Sequence, residues 1–210
     1  MAGAGDHLER HERFGGRRSR DVGEMTRPLS TDVHDALTRA IDHVLYSRGL
    51  HEGTIDEICA EAGVGKPALY RHFGSRDALL TDYLERRRED RRTRIEAAIE
   101  SAGPNSRARL IAIVDWIADW IESDEFVGCG FHRALIQRPL SGEHLVDIAL
   151  LQKRWLQDTI AADLPATAAG RAAGRHLFLL IEGAMAAAMY EPGKQSGADL
   201  RRIGRQVISA

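Results

Sequence analysis

The stretch "TIDEICAEAGVGKPALYRHFGSRDALL", residues 54–80, carries two very short helical patterns around a Gly-Val-Gly. Helices this short bury little and are poorly stable alone. Two of them joined by a tight turn make sense when the second projects outward to touch something. Thr54-Ile55-Asp56-Glu57 has the form of a capping box, with Thr54 at N-cap and Glu57 at N3. Ile55, Ile58, Cys59 and Ala62 then fall at i, i+3, i+4 and i+7, which predicts one buried face. Gly63 suits the positive-φ position of a tight turn, and Val64 fills the angle behind it. The second pattern starts near Lys66-Pro67, where proline is tolerated because first-turn N–H groups have no intrahelical partner. Leu69 and Phe73 face inward, leaving Lys66, Ala68, Tyr70, Arg71 and His72 for the outer and lateral faces. Gly74 ends this helix and Ser75 caps the next.

This is the spacing of a helix-turn-helix, whose second helix lies in the major groove of DNA. The first helix offers its N-terminus, near Thr54, to a phosphate. The same spacing also fits an αα-corner inside a helical bundle, and spacing alone does not choose between them.

The surrounding sequence is all-α in pattern. Val33, Leu37, Ile41, Val44 and Leu45 form a helical stripe that starts near Ser30 or Thr31 and ends at Gly49. A long helix is predicted from Ser75 to about Ser101, and Gly103-Pro104 punctuates it. Leu110, Ile113, Val114, Ile117 and Ile121 form the next stripe. A short segment after Gly130 is expected to stop at Pro139. Helices over 142–163 and 166–190 follow, the latter ended by Pro192-Gly193, with a last one from Gly197. The expected organisation is a disordered tail over 1–27, a helix-turn-helix domain over 28–74, a connecting helix over 75–103 and a helical ligand-binding and dimerisation domain over 104–210.

Bulk numbers narrow the class. The chain of 210 residues is 43% hydrophobic and 29% charged, which predicts a globular protein with a sizeable core. A net charge of −2 excludes a polycation, so nucleic-acid binding must rest on a local basic patch. The two cysteines, Cys59 and Cys129, form no disulfide framework and suit a reducing cytoplasm. No secretory h-region is present in residues 1–28. The apolar run Leu177–Tyr190 is too short to span a membrane and holds Glu182 near its middle, so a buried helix is predicted.

The motif over 54–80 resembles the N-terminal signature of the TetR family of bacterial transcriptional regulators. The resemblance rests on Thr54, the Ile-x-x-Ile-Cys-Ala core, Gly63-Val64, Leu69-Tyr70-x-His72-Phe73, and Arg76 followed by Leu79-Leu80. It covers roughly residues 30–82; the remainder matches in architecture only. The resemblance implies that Thr54 and Tyr70 contact phosphates and that His72 lies beside the backbone. Lys66, Ala68 and Arg71 would lie near base edges or flanking phosphates, and Arg76 would reach a phosphate. Gly65 stands where the family often has Ser or Thr as N-cap, which removes one hydroxyl from the interface. The implied partners are a palindromic double-stranded operator, a small-molecule effector and a second copy of the chain; no membrane, cofactor or metal is implied.

Outside the motif, several features have two readings. "ERRREDRRTR", residues 85–94, is either a second DNA contact or a solvated helix face, and the solvated face is the expectation. Trp116, Trp120, Phe131, His132, Trp155, Phe178, Glu182 and Met185 are candidate walls of an effector cavity for an apolar or amphipathic ligand, although each aromatic also suits plain core packing. Glu182, on an otherwise apolar seam, pairs with an Arg or His, reaches solvent, or faces a polar ligand atom. Gly174, Leu177, Ile181, Ala184 and Ala188 form a seam of small ends and close spacing, the candidate dimer interface.

The sequence therefore predicts a dimeric regulator, a repressor released by a ligand. Two alternatives stay open: an all-α enzyme using Cys129, His132 and Glu182, and a DNA-binding regulator with no small-molecule ligand.

Overall fold

A computed structural model describes residues 31–124, 126–190 and 195–209. The tail over 1–27, the cap at Ser30 and the Pro192-Gly193 stop lie outside the described residues. Within them the chain forms α1 (Thr31–Arg48), α2 (Ile55–Ala62), α3 (Lys66–Phe73), α4 (Arg76–Ser101), α5 (Ser106–Glu122), α6 (Gly130–Ile136), α7 (Arg138–Ala162), α8 (Ala168–Ala187) and α9 (Gln195–Ser209). No strand occurs among the described residues.

Side-chain caps set several of these starts. Ser75 accepts from Ala78 N at 3.0 Å, Asn105 from Ala108 N at 2.9 Å and Thr167 from Gly170 N at 3.1 Å. Each satisfies a first-turn donor that the helix itself leaves open. Pro139 acts opposite to expectation. It sits in the first turn of α7 and opens that helix instead of stopping α6. Its missing N–H is no loss there. The true break is at Gly142, whose φ of 71° and ψ of 157° kink α7.

Helices α1, α2 and α3 gather around Leu37, Ile41, Val44, Leu45, Ile58 and Leu69, and α4 joins them through Leu79, Leu80, Tyr83 and Leu84. Burying a side chain such as Leu69 stabilises by about 1.5–3 kcal/mol. Further along, α4 packs on α5 and α7, and α9 lies against α5 and α8. The apolar core runs without a break from Leu37 to Leu200. Arg201 of α9 reaches Asp115, Asp119 and Glu122 of α5, and Arg205 holds Asp115 at 2.9 Å, so charge also fixes this pair of helices. No helix among the described residues is long and apolar enough to cross a membrane.

Candidate nucleic-acid interface and effector core

The helix-turn-helix is built by local chemistry. Thr54 Oγ1 accepts from Glu57 N at 3.2 Å, while Thr54 N donates to Glu57 Oε2 at 2.9 Å, so the capping box closes in both directions. The bond from Thr54 N, with a second that Thr54 Oγ1 donates to Glu57 Oε2 at 2.9 Å, holds the Glu57 carboxyl below its ordinary pKa. Gly63 sits at φ 67° and ends α2, with Val64 N donating to Cys59 O at 3.0 Å. A side chain in this left-handed region is strained, which is the physical demand for glycine. Gly65 is the N-cap of α3 and supplies no side-chain bond. Leu69 is buried under α3, and Phe73 packs partly against the same core.

What remains of α3 faces outward. Tyr70 is 42% exposed, and Gly65, Lys66, Arg71 and His72 are exposed, with Ala68 half-buried beside them. Two of these side chains have protein partners. Lys66 Nζ lies 2.7 Å from Asp56 Oδ1 on α2, and that bond raises its pKa. His72 Nε2 lies 2.8 Å from His34 Nδ1 on α1, so one ring must be neutral to accept. His72 also meets Phe73 edge-on, with centroids 4.5 Å apart. Both anchor the lateral faces of α3 and leave Tyr70 and Arg71 on its outer face.

Arg76 does something the sequence did not suggest. Its Nη2 donates to Leu50 O at 2.8 Å and Gly53 O at 3.0 Å, with His51 O at 3.4 Å. It ties the α1–α2 turn to the start of α4 instead of pointing at a phosphate. A guanidinium carries several donors in a fixed fork, which suits it to collecting turn carbonyls. Gly53 belongs to the same device. A Cβ there would meet Leu45 Cδ2 at 2.8 Å and Gly49 O at 3.2 Å, so the turn lies tightly against α1.

The arginine-rich run of α4 is more than a solvated face, because much of it is tied to neighbouring side chains. Arg86 joins Asp82 and Asp42 at 2.8 Å each, fastening α4 to α1. Arg88 pairs with Glu85 at 2.7 Å and Arg94 with Asp90 at 2.8 Å. Arg87 lies over the Tyr46 ring at 4.6 Å and Arg91 over the Trp120 ring at 3.6 Å. Such cation–π contacts stabilise most where water is excluded.

The candidate effector residues do not converge on one chamber. Trp116 and Trp120 stack at 6.3 Å and, with Tyr46, Arg87 and Arg91, line an open cleft of about 500 Å³ between α1, α4 and α5. Phe131 and Met185 are buried around an inner cavity of about 20 Å³, shared with Arg91, Cys129, Gln152 and Lys153. That is room for one water. Trp155 stands under Arg92 at 5.2 Å. Phe178 faces a groove at the α7–α8 turn, away from the others. Glu182 takes two partners, His132 Nε2 at 2.5 Å and Lys153 Nζ at 2.8 Å. Burial pushes its pKa up, but the bonds to His132 and Lys153 win and hold the carboxyl below its ordinary value. Lys153, only 8% exposed, escaped sequence analysis because a lysine on a helix usually reaches solvent. Its position in register with the buried Ala149, Gln152 and Leu156 was the available signal.

The enzyme alternative gains no support from this geometry. Cys129, His132 and Glu182 come near one another, yet the thiol makes no bond to the His132 ring among the described residues, and the cavity beside it holds only something close to the size of one water. The described residues also hold no cluster of three His, Cys, Asp or Glu placed for a metal ion.

The small-residue seam on α8 is also placed differently. Leu177, Ile181 and Ala184 are buried within the subunit, and Ala188 packs partly against the same core. A Cβ on Gly174 would meet Leu164 at 3.1 Å, and one on Gly204 of α9 would meet Leu177 at 3.6 Å. This seam is spent inside one chain and is not a free interface. The exposed face of α8 carries Ala172, His176, Leu179, Gly183 and Ala186, with Leu179 54% exposed, and Leu151 of α7 is 51% exposed.

Comparison with known proteins agrees with this architecture. Residues 37–83 match the family model "Bacterial regulatory proteins, tetR family". A solved TetR-family transcriptional regulator from Streptomyces coelicolor shares 30% identity, covering 86% of this chain and 90% of its own, with a TM-score of 0.79. The HTH-type transcriptional activator FasR of Mycolicibacterium smegmatis is 38% identical over 85 residues, which is 40% of this chain and 38% of FasR, so the match spans well under half of that relative. The TetR-family regulator CifR, solved as a cysteine mutant with 26-bp double-strand operator DNA, has the same fold at 20% identity, covering 88% of this chain and 99% of its own, with a TM-score of 0.69. With its helix-turn-helix and its helical second half both matched, the chain belongs to the TetR family of transcriptional regulators.

Proposed function

We propose that this chain is a homodimeric repressor that leaves a palindromic operator when a small molecule binds its α4–α8 region. The observation that carries the DNA-binding half is the division of α3: Leu69 is fully buried while Tyr70, Arg71, Lys66 and His72 stand on open faces. Thr54 and Tyr70 contact phosphates in this proposal, and Gly65 lets the backbone approach closely. Lys66, Ala68 and Arg71 reach base edges or flanking phosphates, with His72 beside the backbone. Arg76 is a positioning residue that holds the turn before α2. Residues 28–74 form the reading head, 75–103 the connecting helix and 104–210 the effector and dimerisation part.

One short recognition helix reads only a few base pairs, so a two-fold pair supplies the address. The exposed apolar strip of Leu151, Leu179, Gly183 and Ala186 is the dimer face, since a self-complementary surface must lie outside the subunit core. Coupling between the halves runs through contacts that cross them. Arg133 Nη1 donates to Tyr46 O at 3.2 Å, and His51 Nε2 lies 3.1 Å from Ser141 Oγ. Burial, then the nearby Arg76, keeps His51 below its ordinary pKa and so neutral. A ligand shifts operator affinity only by its differential affinity for the two head spacings.

The test is selection of bound sequences from a random DNA library, followed by titration of the winner. Tyr70→Ala should weaken binding by about tenfold or more if it makes a positioned contact. Wild-type affinity in that variant would remove the assignment of α3 as the reader.

A regulator without a small-molecule ligand is the second reading, favoured by the inner cavity of about 20 Å³. A ligand panel read by the fluorescence of Trp116 and Trp120 separates the two: saturable changes that lower operator affinity support the effector, and their absence supports the ligand-free regulator.

A further inference from the structure

Cys129 occupies a setting that the DNA-binding scheme does not use. It is 1% exposed and sits at the N-cap of α6. Arg91 Nη1 lies 4.0 Å from its sulfur, and Arg91 makes no salt bridge to a carboxylate among the described residues. The thiol lines the cavity of about 20 Å³ together with Arg91, Gln152 and Lys153. Gln152 is 3% exposed, and its Oε1 has no hydrogen-bond partner among the described residues. A buried orphan acceptor in a one-water cavity calls for a small ligand that donates a hydrogen bond.

Burial opposes ionisation of Cys129, but Lys153, Arg91 and His132 outweigh it and bring the thiol down to about 7. At neutral pH a large share is therefore thiolate, the nucleophilic form. Cys59 is the opposite case within the same chain. Burial and Asp56 raise its pKa against the pull of Lys66.

We propose that Cys129 is an oxidation site for small hydroperoxides and that its oxidation is a second, covalent input to this regulator. The inference rests on the regulator function proposed above. The thiolate sulfur attacks the terminal oxygen of the hydroperoxide while Gln152 Oε1 accepts its O–H. The S–O bond forms and the O–O bond breaks. Sulfur loses two electrons, the peroxide gains them, and the departing hydroxide or alkoxide takes up one proton, balancing the one released when the thiol ionised. The product is a sulfenic acid, the first and reversible rung of thiol oxidation. The cavity accommodates that one added oxygen. Arg91 also lines the open cleft between α1, α4 and α5, so movement of this one side chain connects the cavity to solvent.

The consequence is a charge change at a junction. Neutral sulfenic acid removes the anion that Arg91 and Lys153 face. One helical turn along α6, Arg133 holds Tyr46 O of α1, and Val127 N donates to Tyr46 Oη at 3.4 Å. The segment 127–133 thus joins the thiol to the reading head, and oxidation there weakens operator binding.

The experiment uses the full-length protein with hydrogen peroxide, dimedone trapping and peptide mass spectrometry on one aliquot, and operator affinity measured on a matched aliquot oxidised without dimedone. The expected result is labelling of Cys129 roughly tenfold or more ahead of Cys59, because only the former is substantially thiolate. Operator Kd should rise about tenfold as labelling completes, within the usual range of coupled sites, and return after dithiothreitol. Cys129→Ser also lacks the anion, so it should bind operator about as weakly as the oxidised wild type and ignore peroxide. Arg91→Met should slow labelling of Cys129 without altering that of Cys59. Labelling of Cys59 first, or none at Cys129, overturns the oxidation site. Complete labelling of Cys129 with unchanged Kd overturns the input. If reduced protein bound no operator at all, the regulator function would fail, while the labelling ratio in wild type would still decide the thiol.

Discussion

Two lysine–carboxylate pairs of nearly equal length divide this molecule. Lys66 and Asp56 meet at 2.7 Å on the reading head, with side chains 53% and 74% exposed. Lys153 and Glu182 meet at 2.8 Å inside the second half, with side chains 10% and 20% exposed. The first lies in water, where the attraction is screened and either partner is exchangeable. The second is held in a poorly solvated interior, where each charge depends on the other. Geometry alone would score them alike. Their surroundings make one a loosely held contact that a phosphate can replace and the other a fixed part of the core. Among the described residues the reading head buries no charged side chain, whereas the second half places Lys153, Glu182, His132 and Gln152 within or against its core.

The strongest way to break the comparison is to put a charge on each face of α8. Ala184→Arg buries an unpaired guanidinium against α5 and α9, since Ala184 is only 9% exposed. The expected cost is several kcal/mol, a large part of a typical domain's roughly 5–15 kcal/mol. Leu179→Arg lies on the open face and should leave the thermal midpoint of the monomer nearly unchanged. Light scattering should find it monomeric if that face is the dimer contact. A folded, dimeric Ala184→Arg protein would show that α8 is turned the other way.

Next in size is Glu182→Gln. It leaves Lys153 without its anion, and urea unfolding should register a loss of about 3 kcal/mol, the low end for a broken buried pair because Glu182 keeps some solvent. Asp56→Asn should not move the urea midpoint measurably. It should instead tighten operator binding several-fold by freeing Lys66 for phosphate. Equal destabilisation by both variants would erase the distinction between the pairs.

Acid offers the same contrast without a stability variant of the head. The folded pKa of Glu182 is depressed, so its stabilisation is fully present above the ordinary carboxylate value of about 4.3. It is lost as pH falls through the lowered folded value. Wild type should lose stability on acidification in urea titrations, and Glu182→Gln should lose less over the same interval. Identical slopes would remove Glu182 as a contributor.

A smaller effect is expected from Gly63→Ala. The new Cβ meets nothing within 4 Å, so the whole cost, about 1–2 kcal/mol, is the left-handed backbone conformation at φ 67°. The smallest stability effect belongs to Lys66→Ala, which should leave the urea midpoint alone while weakening operator binding several-fold and reducing its salt dependence. A stability loss there comparable to Glu182→Gln would mean that the exposed pair is structural after all.

The reading head was legible because its rules are local. Thr54 and Glu57 close a capping box three residues apart, and Gly63 answers a single backbone angle. Neither depends on a distant element. Arg76 illustrates the limit inside the same motif. The resemblance placed it at a phosphate, and its actual partners are carbonyls 23 to 26 residues earlier in the chain. The second half fails in the same manner on a larger scale. Cys129 and Lys153 share one cavity, and Glu182 meets His132 50 residues away, pairings that no spacing announces.

By itself the sequence determined the all-α class, the positions of the helices to within a few residues and the turn that exposes α3, because capping, glycine conformation and the 3.6-residue period act over a few neighbouring residues. It could not decide which face of α8 is buried. Gly174, Leu177, Ile181 and Ala184 share the small and apolar spacing of Ala172, His176, Leu179, Gly183 and Ala186 on the opposite side. Only the docking of α5, α7 and α9 chose between them. The same docking turned a lysine and a glutamate into a buried pair and a cysteine into the neighbour of an arginine. Burial and pairing are properties of elements brought together from far apart in the chain, and they exist only once the tertiary structure has excluded water from between them.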